Sequence, residues 1–166
     1  GVALSLALTG VELPDERASA GEPAPGEDSP SLPQAGVVHF GETLGGVGLG
    51  MSRSDVLATW GSSFGVCRDC ESDTWYFTYA EFSPEGAGVE FGPDGVRAVF
   101  TLWEPEGWRS SGGLALGTPR DEIPQAYLEL ERIECPGYEA YVHGRSSART
   151  ALYLHEDRVW AYAVID

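Results

Sequence analysis

Three cysteines carry the most reactive chemistry in this chain. Cys67-Arg68-Asp69-Cys70 sets two thiols at Cys-x-x-Cys spacing, and Cys135 stands apart from them. Three chemistries use such a pair. A thioredoxin-like redox pair needs a strand before it and a helix opening at the first cysteine. Here an aromatic strand-like run, Trp75-Tyr76-Phe77, follows the pair instead. A zinc site would draw on Cys67, Cys70, Cys135 and one His, but the second Cys-x-x-Cys is missing. The third reading is a Cys67–Cys70 disulfide stapling the loop, as expected of an exported protein. Cys135 is then a buried thiol, unless it competes for that disulfide.

Other catalytic signatures are lacking. The chain has no Gly-x-Ser-x-Gly, no His-Glu-x-x-His and no Walker loop. Gly46-Val47-Gly48-Leu49-Gly50 is glycine-rich but lacks the dinucleotide spacing and a βαβ setting. His39, His143 and His155 are scattered singly, and the carboxylates show no pairing pattern. No enzyme, no metal and no cofactor is expected.

Charge narrows the partners. The 166 residues carry a net charge of −16. Nucleic acid needs a basic patch, and an anionic membrane surface likewise disfavours so acidic a chain. The partner expected is an unidentified protein with a basic surface. All ten basic residues are Arg, and Lys and Asn are absent; this fits a GC-rich genome.

The chain divides by composition. Residues 1–10, with the run Val2-Ala3-Leu4-Ser5-Leu6-Ala7-Leu8, read as the end of a signal-peptide-like segment, too short to span a bilayer. Leu8-Thr9-Gly10 resembles the front of a bacterial lipobox, with Val11 where the lipidated Cys belongs. Residues 11–36 read as a linker, with Pro14, Pro23, Pro25, Pro30 and Pro33 among Glu, Ala, Ser and Gly. Residues 37–166 form the domain. The expected location is secreted or cell envelope, with no stable transmembrane span.

Within the domain the sequence recurs. Gly45-Gly46-Val47-Gly48-Leu49-Gly50-Met51-Ser52-Arg53-Ser54-Asp55-Val56 matches Gly112-Gly113-Leu114-Ala115-Leu116-Gly117-Thr118-Pro119-Arg120-Asp121-Glu122-Ile123 at an offset of 67. Val89 to Val96 matches Leu152 to Val159 at an offset of 63. Repeat one covers about 40–104 and repeat two about 108–166. In the first, Ser52 or Ser54 caps a helix that Gly61 ends. In the second, Thr118 caps a helix with Pro119 at its first position. Three strands follow each helix: Trp75 to Ala80, Gly88 to Phe91 and Val96 to Trp103, then Tyr138 to His143, Thr150 to Leu154 and Val159 to Ile165. The expected fold class is α+β: two tandem helix-plus-antiparallel-strand repeats, helices on one face of the sheet.

Period-two alternation separates the strand faces. Val96, Ala98, Phe100 and Leu102 join Val159, Ala161, Ala163 and Ile165 in the expected core. Trp75, Phe77, Tyr79, Tyr138, Ala140 and Val142 join them. The opposite face then carries Tyr76, Arg97, Trp103, Tyr141, His143, Tyr153, Trp160 and Tyr162. Trp and Tyr in such numbers mark a partner-binding face. The competing expectation is that the N-terminal segment, or a second chain in a homodimer, covers it.

Gly50-Met51-Ser52-Arg53-Ser54-Asp55-Val56-Leu57-Ala58-Thr59-Trp60-Gly61, the aromatic strand and the hairpin Phe91 to Val99 resemble β-lactamase inhibitory proteins. They also resemble the SmpA/OmlA-type small lipoproteins of outer-membrane assembly. The resemblance implies a two-repeat fold over residues 40–166 and protein binding through a concave aromatic sheet. It does not carry over the target. The resulting expectation is an exported, non-enzymatic, inhibitor-like binding module. An envelope assembly protein and a small-ligand binder using the cleft between repeats are the alternatives.

Overall fold

The computed structural model describes residues 36–78, 86–102, 105–144 and 147–166. The signal-like segment, the linker up to residue 35, Tyr79, Ala80 and Trp103 lie outside the described residues.

Strands β1 (Val37–His39), β2 (Thr43–Leu44) and β3 (Val47–Gly48) lead into helix α1 (Arg53–Trp60). Then come β4 (Gly65–Val66), β5 (Asp73–Thr78), β6 (Gly86–Gly92), β7 (Gly95–Leu102) and β8 (Arg109–Ser110). A single 3-10 turn (Arg120–Glu122) and the short helix α2 (Gln125–Leu128) precede β9 (Glu131–Cys135). The chain closes with β10 (Tyr138–His143), β11 (Arg149–His155) and β12 (Arg158–Ile165). Eight strands form one sheet in the order β4-β5-β6-β7-β12-β11-β10-β9, and a four-stranded sheet has the order β3-β2-β1-β8.

This overturns the expected α+β class. Among the described residues the protein is mostly β, 49% strand and 13% helix, with two sheets and only two helices, so it is not a pair of helix-plus-strand repeats. A local break and a long-range pairing account for the difference. In the second half Pro124 cannot donate the N–H that a helix starting at Arg120 needs, and it holds Ile123 extended (φ −72°, ψ 126°). The helix is cut to a 3-10 turn, and the Thr118 hydroxyl donates to the Ala115 carbonyl rather than capping. In the first half Ser52 does cap α1, in a capping box with Asp55. The main cover on the eight-stranded sheet is the small sheet built from residues around Val38, Leu44 and Val47, which are fully buried.

Trp108 centres that cover. It is fully buried, and a side chain on Gly45 (φ 58°) would come within 2.7 Å of its ring. Trp60 of α1 donates its indole N–H to the Gly45 carbonyl at 2.8 Å. Gly45 therefore serves both its own positive φ and the close approach of two tryptophans. In the opposite layer Trp75, Phe77, Val89, Phe91, Val99, Leu152, Tyr162 and Val164 face this cover.

The recurring glycine signature has a backbone task. Gly50 N–H bonds the Val96 carbonyl at 2.8 Å, and Val96 N–H bonds the Met51 carbonyl at 2.9 Å. Gly117, Val159 and Thr118 repeat the arrangement at 2.7 and 2.9 Å. Each clamp ties a positive-φ glycine (Gly50 φ 78°, Gly117 φ 82°) to the residue that follows a hairpin turn. Its arginine also recurs: Arg53 pairs with Asp73 at the start of β5, and Arg120 with Glu139 near the start of β10.

The two hairpin turns differ. Between β11 and β12 both Glu156 (φ 49°) and Asp157 (φ 58°) take left-handed conformations, the only described non-glycine residues to do so. Asn and Gly suit these positions best. Glu156→Asn should raise the unfolding free energy by about 0.5 kcal/mol. Urea denaturation checks this, and an unchanged midpoint would count against stored strain at that turn.

Candidate partner-binding face

One extra residue in each of two strands decides which side chains face outward. On β7, Val96 pairs with Phe91 and Ala98 with Glu90, leaving Arg97 as a bulge. On β12, Val159 pairs with Leu154 and Ala161 with Tyr153, leaving Trp160. The alternation inverts after each bulge. Val96 and Val159 face the core, but so do Val99, Tyr162 and Val164. Ala98, Phe100, Ala161 and Ala163 turn to the outer face with their cross-strand partners.

Strand β10 was displaced for a different reason. Trp75 pairs with Val89, and Tyr141 pairs with Leu152. Tyr141 is therefore the counterpart of Trp75 at an offset of 66, so of the four residues by which the offset falls from 67 to 63, three are lost in the β10–β11 connection and one before β10. Tyr138, Ala140 and Val142 consequently lie on the outer face, not in the expected core.

These registers sort the residues proposed from sequence. Tyr76 and Tyr153 sit on the outer face, half-buried. Arg97 is exposed at its bulge, 3.4 Å from the Glu90 carboxylate. Trp160 occupies the other bulge, its ring 5.7 Å from His155. Tyr141 and Tyr162 are corrected to the core, 3% and 0% exposed. Tyr162 donates to the Leu114 carbonyl at 2.7 Å, and burial pushes its phenol well above the usual range. His143 lies on the core side at the sheet's rim, its ring 5.7 Å from Phe40. Trp103 lies outside the described residues. Phe100, Ile165, Tyr138 and Ile133 belong to the outer face and were not foreseen there.

The outer face has a small-residue floor between aromatic flanks. One row across the sheet runs Tyr76, Gly88, Phe100, Ala163, Ala151, Val142. A side chain on Gly88 would come within 2.5 Å of the Phe100 ring, so the ring lies over the glycine. A second row runs Ala161, Tyr153, Ala140, Ile133. The apolar cluster on this face consists of Ala140, Val142, Ala151 and Tyr153, all from β10 and β11. Among the described residues, neither helices nor the small sheet contribute to it.

At its rim, Tyr138 and Tyr153 meet edge to face at 5.7 Å. A hydrogen bond with Cys135 raises the Tyr138 phenol, and burial raises that of Tyr153. Both stay protonated at neutral pH and can donate to a partner. Cys67 and Cys70 form a disulfide, with the Cys70 sulfur 3.6 Å from the Tyr76 hydroxyl. Among the described residues no group of three or more His, Cys, Asp or Glu converges as metal ligands, and no helix is long and apolar enough to cross a membrane.

An ionic network braces the core side of the same strands. Arg120 donates to Glu139 at 2.6 Å, to Asp157 at 3.0 Å and to the Tyr141 hydroxyl at 3.1 Å. Tyr141 in turn donates to Glu139 at 2.9 Å. A depression of about 380 Å³ opens beside it, lined in part by Arg120, Cys135, Tyr138 and Asp157. Its cation is already neutralised by two carboxylates. The depression also lies within the second half, not in a cleft between halves.

Comparison with protein-family models, with curated proteins and with solved structures finds no match for this chain.

The Arg120 hydrogen bond holds the Glu139 carboxyl below the usual carboxylate range. A depressed folded-state value stabilises the fold above the unfolded carboxylate range, and that stability is lost as pH falls through the folded value. Glu139→Gln should cost about 1 kcal/mol at pH ~7, discounted for partial exposure, with the difference from wild type shrinking below pH ~4. Urea unfolding across that range tests it, and a pH-independent difference would contradict it.

Proposed function

We propose that this chain is an exported, non-enzymatic module that binds a protein through the outer face of its eight-stranded sheet. The observation that carries the reading is that face: an alanine and glycine floor flanked by Tyr76, Phe100, Tyr153 and Tyr138, with no other described element in its apolar cluster. A solvated sheet face is ordinarily rich in Thr, Lys and Glu. Aromatic side chains around a shallow apolar floor supply the anchors and pockets that dominate protein–protein affinity.

The net charge of −16 favours a basic protein surface and speeds its approach. The resemblance of the Gly50–Gly61 signature and the aromatic strand to β-lactamase inhibitory proteins supports an inhibitor-like mode of use. The leader-like residues 1–10 and the disulfide favour an oxidising, extracytoplasmic setting. Glu90, paired with the exposed Arg97, and the phenols of Tyr138 and Tyr153 would supply polar contacts around the apolar centre.

The test is capture by the immobilised full chain from culture fluid and envelope extract. Tyr76→Ala combined with Tyr153→Ala should keep thermal unfolding cooperative and reduce capture of a specific protein by about tenfold or more. Exchange protection on bound β6, β7, β11 and β12 should map the contact. Equal capture by the double variant, or protection confined to the small sheet, would overturn the assignment of this face.

A further inference from the structure

The two ends of the eight-stranded sheet are not alike. At one end β4 is only two residues long and runs into the Cys67–Cys70 staple. At the other, β9 runs for five residues, Glu131 to Cys135, and is exposed from Glu131 to Glu134. Its outward N–H and C=O groups have no partner strand among the described residues. An open edge of this length invites another strand. It also carries one of the largest exposed apolar side chains described, Ile133 at 43%, close to Tyr138 at 36%.

We infer that β9 pairs with β9 of a second copy of this chain, antiparallel and centred on Ile133. The choice of occupant follows from charge. In this register Ile133 faces its own copy, Glu131 lies opposite Cys135 of the partner subunit, and Arg132 lies opposite Glu134 of the partner subunit. The last pair occurs twice by symmetry, and opposite charges directly across a ladder stabilise it. Centring on Arg132 or on Glu134 sets like charges face to face. Parallel in-register pairing stacks Arg132 on Arg132 and Glu134 on Glu134. A shift by one residue sends Ile133 to the opposite face. The Ile133-centred antiparallel register is thus the one that satisfies charge and face together.

Existing contacts are compatible with it. Arg132 now holds Glu134 at 2.6 Å and Glu139 at 3.1 Å within its own chain. On pairing it keeps Glu139 and gains the opposing Glu134. Ile133 pairs with Ala140, and Cys135 with Tyr138, so both side chains lie on the outer face. With the two-fold axis normal to the sheet, the outer faces of both copies continue into one another. Pairing of two copies uses the β9 edge of the sheet, whereas capture of a protein partner uses its face.

Charge exchange tests the register. Wild type should show concentration-dependent dimerisation by sedimentation equilibrium. Arg132→Glu alone and Glu134→Arg alone should each weaken it by about tenfold or more, by setting like charges across the ladder. An equimolar mixture of the two variants should restore it, because the opposing residues become complementary again. Amide exchange of Glu131–Cys135 in wild type should slow as protein concentration rises; this readout needs no variant. A wild type that stays monomeric throughout, single variants that dimerise as wild type does, or β9 exchange indifferent to concentration would each overturn the proposal. Capture by Tyr76→Ala/Tyr153→Ala reports on the face alone, so failure of one reading is separable from failure of the other.

Discussion

A single inserted residue in each of β7 and β12 governs the molecule's surface. Because strand side chains alternate, Arg97 and Trp160 invert everything that follows them. Val99, Tyr162 and Val164 go inward, and Phe100, Ala161 and Ala163 go outward. Without the bulges the core would take the alanines, and the tyrosine and valines would meet water. The wide apolar interior and the small-floored outer face thus have one cause. The same bulged positions follow directly on the backbone clamps Gly50–Val96–Met51 and Gly117–Val159–Thr118, which fix where each strand begins.

The strands were legible because their cues are local. The hairpin Phe91 to Val99 and the β-branched and aromatic runs placed six long strands, and the serines at 52 and 54 announced the start of α1, which Ser52 caps. The Cys67–Cys70 pair was legible from spacing and setting. The small sheet was not. Its strands are two or three residues long, and β1 pairs in parallel with β8, far along the chain. No periodicity can show in two residues. The second helix falls short of its pattern because Pro124 holds Ile123 extended and ends the turn begun at Arg120.

The face residues show the sharper lesson. Val96 and Val99, and Val159 and Tyr162, stand three apart with Arg97 and Trp160 behind the first of each. That broken alternation is the mark of the bulge, and unbroken alternation from Val96 hid Phe100. For β10 the alternation was regular, and a misplaced deletion gave it the wrong phase. Pairing Tyr141 with Trp75 requires knowing that both are core partners of β6 and β11, which only the registers supply. Tyr76 and Tyr153 fall on the outer face where alternation puts them, because neither strand carries an irregularity before them.

The small sheet also sets an order of events. Each three-stranded meander, β5 to β7 and β10 to β12, closes through short connections. Val37 and Val38 instead wait for Arg109 and Ser110, and the Trp108 indole fills the space beside Gly45 only when that parallel pair forms. Loop-closure entropy makes such distant pairing late. A chain emerging from the ribosome therefore holds its first meander without its lid until Trp108 has been made. The first half of this protein is synthesised early and completed late, with the core face of its meander bare in between.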